Sequence, residues 1–248
     1  SYFSSDSVHC PECLVKETKD GKITYSHQML AAAIVHPDQK IVFPLCPEPI
    51  KKQDGQTKND CERNAGRRFI EKFRQDHPKM KAIFVEDALS ANGPRIADLK
   101  AAGVRFILGA KPGNCKYLFE QVESLEKEGR MNRFSKAEEI GKKITKSVSH
   151  EFRYLNGLKL NDSSDVRINF LEYWETTTWT DAKDVQQEDK KHFSWITDFD
   201  VYESNLFILM RGGRARWRIE NETFNTLKNQ GYEFEHNYGH GNKHLSSC

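Results

Sequence analysis

Hydrophobic and polar positions alternate between strand and helix periods along the chain. Lys22 to His36, KITYSHQMLAAAIVH, mixes alternation with an unbroken apolar run, the pattern of one strand buried on both faces, bounded by Asp20-Gly21 and Pro37-Asp38. Ile41 to Leu45 reads as its neighbour. From about Asn59 to Asp76 the period becomes helical, with Ala65, Phe69, Ile70 and Phe73 as the inward stripe. Lys81 to Leu89 is a short β-rich run, Pro94 suits the first turn of a helix carrying Ile96, Leu99 and Ala102, and Val104 to Leu108 is the next strand. Strand, helix and strand with short connections predict a parallel crossover, and α/β sheets place their sites at the carboxyl ends of such strands. Asp87 falls at such an end.

Beyond Gly113 the pattern predicts charged helices over Tyr117 to Lys127 and Lys136 to Lys146. Glu151 to Leu160, Val166 to Thr178 and His192 to Thr197 then alternate aromatic and β-branched residues as strands do, with Asn161 to Ser164 and Asp181 to Lys190 as loops. Toward the C-terminus, Leu209, Ile219, Phe224 and Leu227 approximate a helical stripe, Trp217 stands among basic residues, and Gly231 occupies the place of a cap. This predicts one amphipathic helix from Arg211 to Tyr232. Arg216 and Glu220 are four residues apart on its polar face and Lys228 follows two turns on. The tail from His236 to Gly241 with His244 lacks either period and reads as a structural or DNA-facing loop.

Composition changes the picture in two places. At 248 residues, 37% hydrophobic and 30% charged, the chain reads as soluble and globular, with no apolar run of membrane-spanning length and no N-terminal signal pattern. The net charge of +2 does not announce nucleic-acid binding, yet the 38 Lys and Arg residues can gather into a groove. Six cysteines in an expected cytosolic chain point to thiols or metal rather than disulfides. His9-Cys10-Pro11-Glu12-Cys13 has the C-x-x-C spacing that lets two thiolates reach one zinc, with further ligands to come from His9, His27, Cys46 or Cys61. The competing reading is that Cys10 and Cys13 are buried or free thiols.

The run Arg216-Trp217-x-Ile219-Glu220 followed by Phe224, Leu227 and Lys228 resembles the C-terminal signature of bacterial insertion-sequence transposases of the DDE type, in which a Tyr, an Arg, the catalytic Glu and a Lys share one helix. Gly213 stands where that family has its Tyr, and the Glu-to-Lys spacing is one residue longer than the family's commonest form. The resemblance implies an α/β fold with an RNase H-like mixed sheet flanked by helices and a β-rich insertion before the last helix. It divides the chain into core residues 1–112, an insertion over 113–200 and a closing helix with tail over 201–248. Asp87 and Glu220, 133 positions apart, match the second and third catalytic carboxylates, with Glu222 a competitor for the latter. The first Asp of the family precedes a segment like Tyr2-Phe3-Ser4-Ser5, so the chain as given is expected to cleave little or nothing.

The same resemblance implies two Mg²⁺ ions that activate a water or a 3′-hydroxyl for attack on a phosphodiester. Double-stranded transposon-end and target DNA would be the partner, bound by a dimer in the bacterial cytoplasm at the nucleoid. Arg214, Arg216, Arg218 and Lys228 would contact DNA, with Trp195, among Trp174, Trp179 and Trp195, stacking a flipped base. Rival readings are a non-catalytic DNA-binding remnant and an RNase H-like nuclease.

Overall fold

The computed structural model describes residues 2–7, 9–10, 13–50, 61–140, 146–180 and 185–231. The chain forms two compact units, residues 1–80 with 217–248 and residues 81–216. These boundaries cut the chain at other places than the three-part division by family pattern.

The first unit contains β1 (Tyr2–Ser5), β2 (Leu14–Glu17), β3 (Ile23–Leu30), β4 (Ala33–His36), β5 (Gln39–Pro44), β6 (Glu48–Ile50) and α1 (Glu62–Asp76). β3 is the centre of a four-stranded antiparallel sheet, paired with β1, β2 and β6. β4 and β5 make a separate hairpin. The single strand anticipated over Lys22 to His36 is therefore two strands in two sheets, broken at Ala31 and Ala32. An unbroken apolar run hides such a corner, because both halves need apolar residues. β1 and β2, too polar to stand out in sequence, exist by pairing with β3. α1 matches its stripe, with Ala65, Phe69, Ile70 and Phe73 buried. Leu14, Ile50 and Ala65, with Leu30 packed against them, form an apolar cluster of this unit.

Its C-terminal part is a π turn (Ile219–Phe224) running into α5 (Asn225–Asn229), and the π turn lies on β5. Gly231, just past the cap residue Gln230, has φ +90°, a left-handed conformation in keeping with its reading as a helix terminator. The tail from His236 onward lies outside the described residues.

The second unit is mixed α/β, built on a mixed sheet of six strands. These are β7 (Ile83–Glu86), β8 (Arg105–Gly109), β9 (Asn132–Ile140), β10 (Lys146–Lys159), β11 (Arg167–Thr180) and β12 (Gln186–Thr197), ordered β7-β8-β12-β11-β10-β9. β7 and β8 are parallel and joined through α2 (Gly93–Ala101), as anticipated, while the remaining pairs are antiparallel. Because β12 pairs with β8, the strands expected of the insertion extend the sheet that holds β7 and β8.

Side chains alternate between faces along β11. Leu171 and Tyr173 join Ile107, Phe152, Trp195 and Val201 under Leu206, Leu209 and Met210 of α4 (Leu206–Arg214). Phe170 meets Phe119 of α3 (Lys116–Lys127) edge-on, ring centroids 5.6 Å apart.

Two helix expectations fail here. Residues from Lys136 to Ile140 lie in β9, paired along its length with β10, because partner strand hydrogen bonds outweigh the local helix preference of Ala and Glu. Residues 141–145 lie outside the described residues. The helix anticipated over Arg211 to Tyr232 is broken: α4 starts earlier, at Leu206, and stops at its cap Ala215, whose N–H is shared by the carbonyls of Arg211 and Gly212. The Gly212-Gly213 pair has the low helix preference that permits such an end. No helix among the described residues is long and apolar enough to cross a membrane.

Candidate functional site

In the first unit, Cys10 and Cys13 lie on the turn between β1 and β2, and His27 lies on β3. Cys10 Sγ and Cys13 Sγ are 3.7 Å apart, and each is 3.3 Å from His27 Nε2. The turn is closed by Cys13 N–H donating to Cys10 O at 3.1 Å and by Cys10 N–H donating to Cys13 Sγ at 3.3 Å. A tetrahedral ion bound at about 2.3 Å from sulfur and about 2.0 Å from nitrogen sets its donors roughly 3.5–3.8 Å apart. The observed triangle is within a few tenths of an ångström of that, so this group can hold a metal ion. Burial pushes the Cys13 thiol above its ordinary pKa; the Cys10 N–H opposes the rise and the Cys10 thiol adds to it. A divalent cation between the sulfurs would reverse that preference and favour thiolates.

Of the ligands the sequence offered, His27 is the one brought to the cysteine pair. His9 stacks on Tyr25 with centroids 4.3 Å apart, Lys72 donates to the exposed Cys46, and Cys61 precedes α1 as its exposed N-cap residue. Nothing in sequence singled out His27, because a 17-residue separation becomes contact only once β2 and β3 pair.

Asp87 follows the last residue of β7, exposed, and begins a short 3₁₀ turn in which its Oδ1 accepts from Leu89 N–H at 3.0 Å. That turn is clamped by the loop after β8. Asn114 Nδ2 donates to Ala88 O at 3.0 Å, and a Cβ on Gly109 would lie 3.1 Å from Ala88 N. Glu86 turns to α2 instead, where Arg95 binds it through Nε at 2.9 Å and again through Nη2.

Glu220 is exposed within the π turn, in the first unit, whereas Asp87 belongs to the second. In an unbroken α-helix the eight-residue step to Lys228 would overshoot two turns by about 80°. A π turn closes i→i+5 and takes up about one extra residue. It therefore brings position 228 back toward the azimuth of position 220, as a seven-residue step would.

Arg218 Nη2 donates to Pro37 O at 2.7 Å, fastening the π turn to the β4–β5 hairpin. In the second unit Arg214 Nη1 donates to Glu175 Oε2 at 2.7 Å, with its guanidinium over the Phe193 ring. Arg216 follows the cap of α4, half-buried.

Trp195 is 5% exposed, stacked on Phe193 inside the apolar cluster under α4, so in this conformation its ring is not open to a base. The close packing behind this burial is visible at Gly213, where a Cβ would stand 2.5 Å from the indole. A larger side chain at position 213 would meet the same indole.

Two polar networks of the second unit had no sequence signal, since their members come from different strands and helices. Glu172, 2% exposed, accepts from Arg153 Nε at 2.8 Å and Nη2 at 2.6 Å, and pairs with His192 Nε2 at 2.8 Å. On the opposite face Tyr173 Oη donates to Glu175 at 2.8 Å and meets His150 Nδ1 at 2.8 Å. Burial would raise the Glu175 pKa, but hydrogen bonds from Tyr173, Arg214 and Lys191 win and hold it at about 2. Burial, then Glu175, push the Tyr173 phenol well above its ordinary value.

The chain matches no protein-family model and no curated protein sequence.

Proposed function

We propose that the chain is the catalytic-domain segment of a DDE-type DNA transposase, with an RNase H-like core and β-rich insertion, acting on double-stranded transposon ends. The observation that carries this reading is the exposed Asp87 at the carboxyl end of β7, beside its parallel neighbour β8. A second support is the π turn, which accommodates the one-residue excess between Glu220 and Lys228. Both Asp87 and Glu220 are exposed, as a carboxylate must be to meet a Mg²⁺ that keeps part of its water shell. Bound Mg²⁺ would supply activation of the attacking oxygen and stabilisation of the leaving one. Lys228 and Arg216 would neutralise backbone phosphates.

The test is Mg²⁺-dependent cleavage and joining of a cognate end by the full-length protein. Asp87→Ala and Glu220→Ala should each abolish both steps while end binding persists; unchanged cleavage in either variant overturns the assignment. A wild-type protein that binds ends without cutting them is the non-catalytic remnant, and one that cuts without joining is a nuclease.

We also propose that the ion of the Cys10, Cys13 and His27 group is zinc. Two thiolates and an imidazole are the soft and borderline donors that select it over Mg²⁺. Metal analysis of the purified protein and of Cys13→Ser tests this: about one zinc per chain is expected in the first and none in the second.

A further inference from the structure

Resting on the zinc reading, we infer that the first unit depends on its metal to fold, and that the second does not. The observation behind this is a mismatch between the number of ordered elements in the first unit and the apolar cluster beneath them. Among the described residues the first unit buries Cys13, Leu14, Ile50, Ala65, Phe69, Ile70 and Phe73 as its apolar side chains beneath four strands, a hairpin and α1, while the second unit buries several times as many. Each ordered residue costs backbone entropy that burial and pairing must offset. β1 and β2 alone contain eight residues. A unit that buries so few apolar side chains gains more of its order from a metal crosslink than a unit with a large core does.

The metal group sits where such a staple acts. Cys13 is 1% exposed and is followed directly by Leu14 of the cluster. Its partner His27 is on β3, three residues from Leu30, and β3 is the strand to which β1, β2 and β6 all pair. One ion thus ties the β1–β2 turn to the central strand at the edge of the core, replacing two thiol protons by two sulfur–metal bonds. Because the donors are gathered only in the folded sheet, binding free energy is folding free energy.

The experiment uses the full chain in reducing buffer, with Zn²⁺ as the probe. Metal content is measured together with limited proteolysis by trypsin, before and after chelation and after Zn²⁺ is returned. The inference expects the as-purified protein to carry zinc, chelation to open cleavage sites within residues 13–80 and 217–231 while 81–216 stays protected, and returned Zn²⁺ to restore protection. Co²⁺ in place of Zn²⁺ should give the absorption of a tetrahedral thiolate site, and Cys13→Ser should lose both that signal and the protection. Zinc that is present but whose removal leaves the first unit protected overturns this inference and leaves the zinc site standing. A protein without metal whose first unit resists trypsin overturns both.

Discussion

The two units achieve order by different means. The second closes on a nine-residue apolar cluster and on carboxylates paired with arginines, Glu172 among them fully buried, while the first, among its described residues, has a three-residue cluster and the buried face of α1 beside two thiols and an imidazole. A large core tolerates internal charges because their partners are built into the same rigid sheet. A small one gains more from a single strong crosslink than from further weak contacts. The candidate carboxylates follow the same division, with Asp87 on a clamped turn of the larger unit and Glu220 on an exposed π turn of the smaller.

The sharpest way to break this comparison is to attack the larger unit's charges. Glu172→Ala leaves Arg153 buried without its main partner and should destabilise the second unit by about 3–5 kcal/mol in denaturant unfolding. Zinc content should be unchanged. A loss of zinc in this variant would mean that the units do not fold separately.

Gly213→Ala comes next, because the new methyl meets the Trp195 indole, and about 1–3 kcal/mol of overpacking is expected. Trp195→Phe in the same chain should recover part of it. Equal stability of Gly213→Ala and wild type would show that the indole is not held against α4.

The third prediction concerns acid. The folded pKa of Glu175 is depressed to about 2, so its contribution is complete above the ordinary value of 4.5 and is lost as pH falls through about 2. Unfolding of the second unit followed by tryptophan fluorescence should therefore weaken across that window, and Glu175→Gln should flatten the dependence. The same slope in both proteins would remove Glu175 as its cause.

The smallest effect is expected from Arg218→Ala, which removes one hydrogen bond to Pro37 O and should cost the first unit about 1 kcal/mol. Hydrogen exchange at the β4–β5 hairpin would register it, and unchanged protection there would show that the bond does not fasten the hairpin.

Local pattern made α1, the β7–α2–β8 crossover, α3, β11 and the C-terminal parts of β10 and β12 legible, since each is decided by short-range periodicity, whereas Gln186 to Lys190, expected as a loop, belongs to β12. It failed where partners decide. β9 looks helical until β10 is beside it, and the break between β3 and β4 is invisible because apolar residues suit both sheets. Two of the three members of the metal group could be read from the Cys10 and Cys13 spacing, whereas the choice of His27 over His9, Cys46 and Cys61 could not.

The amino-acid order by itself determined which segments could be buried, that Asp87 would end a parallel strand, and that two thiols would be close enough to share an ion. Tertiary structure decided the rest: that Trp195 is packed against Gly213, that Arg153 is engaged by the buried Glu172 and Arg214 by the half-buried Glu175, and that Glu220 rides on a π turn. The physical reason is range. Periodicity and spacing act over one or two turns of chain, but register, burial and ion pairing depend on which distant strand arrives alongside, and that is an energy of the whole unit.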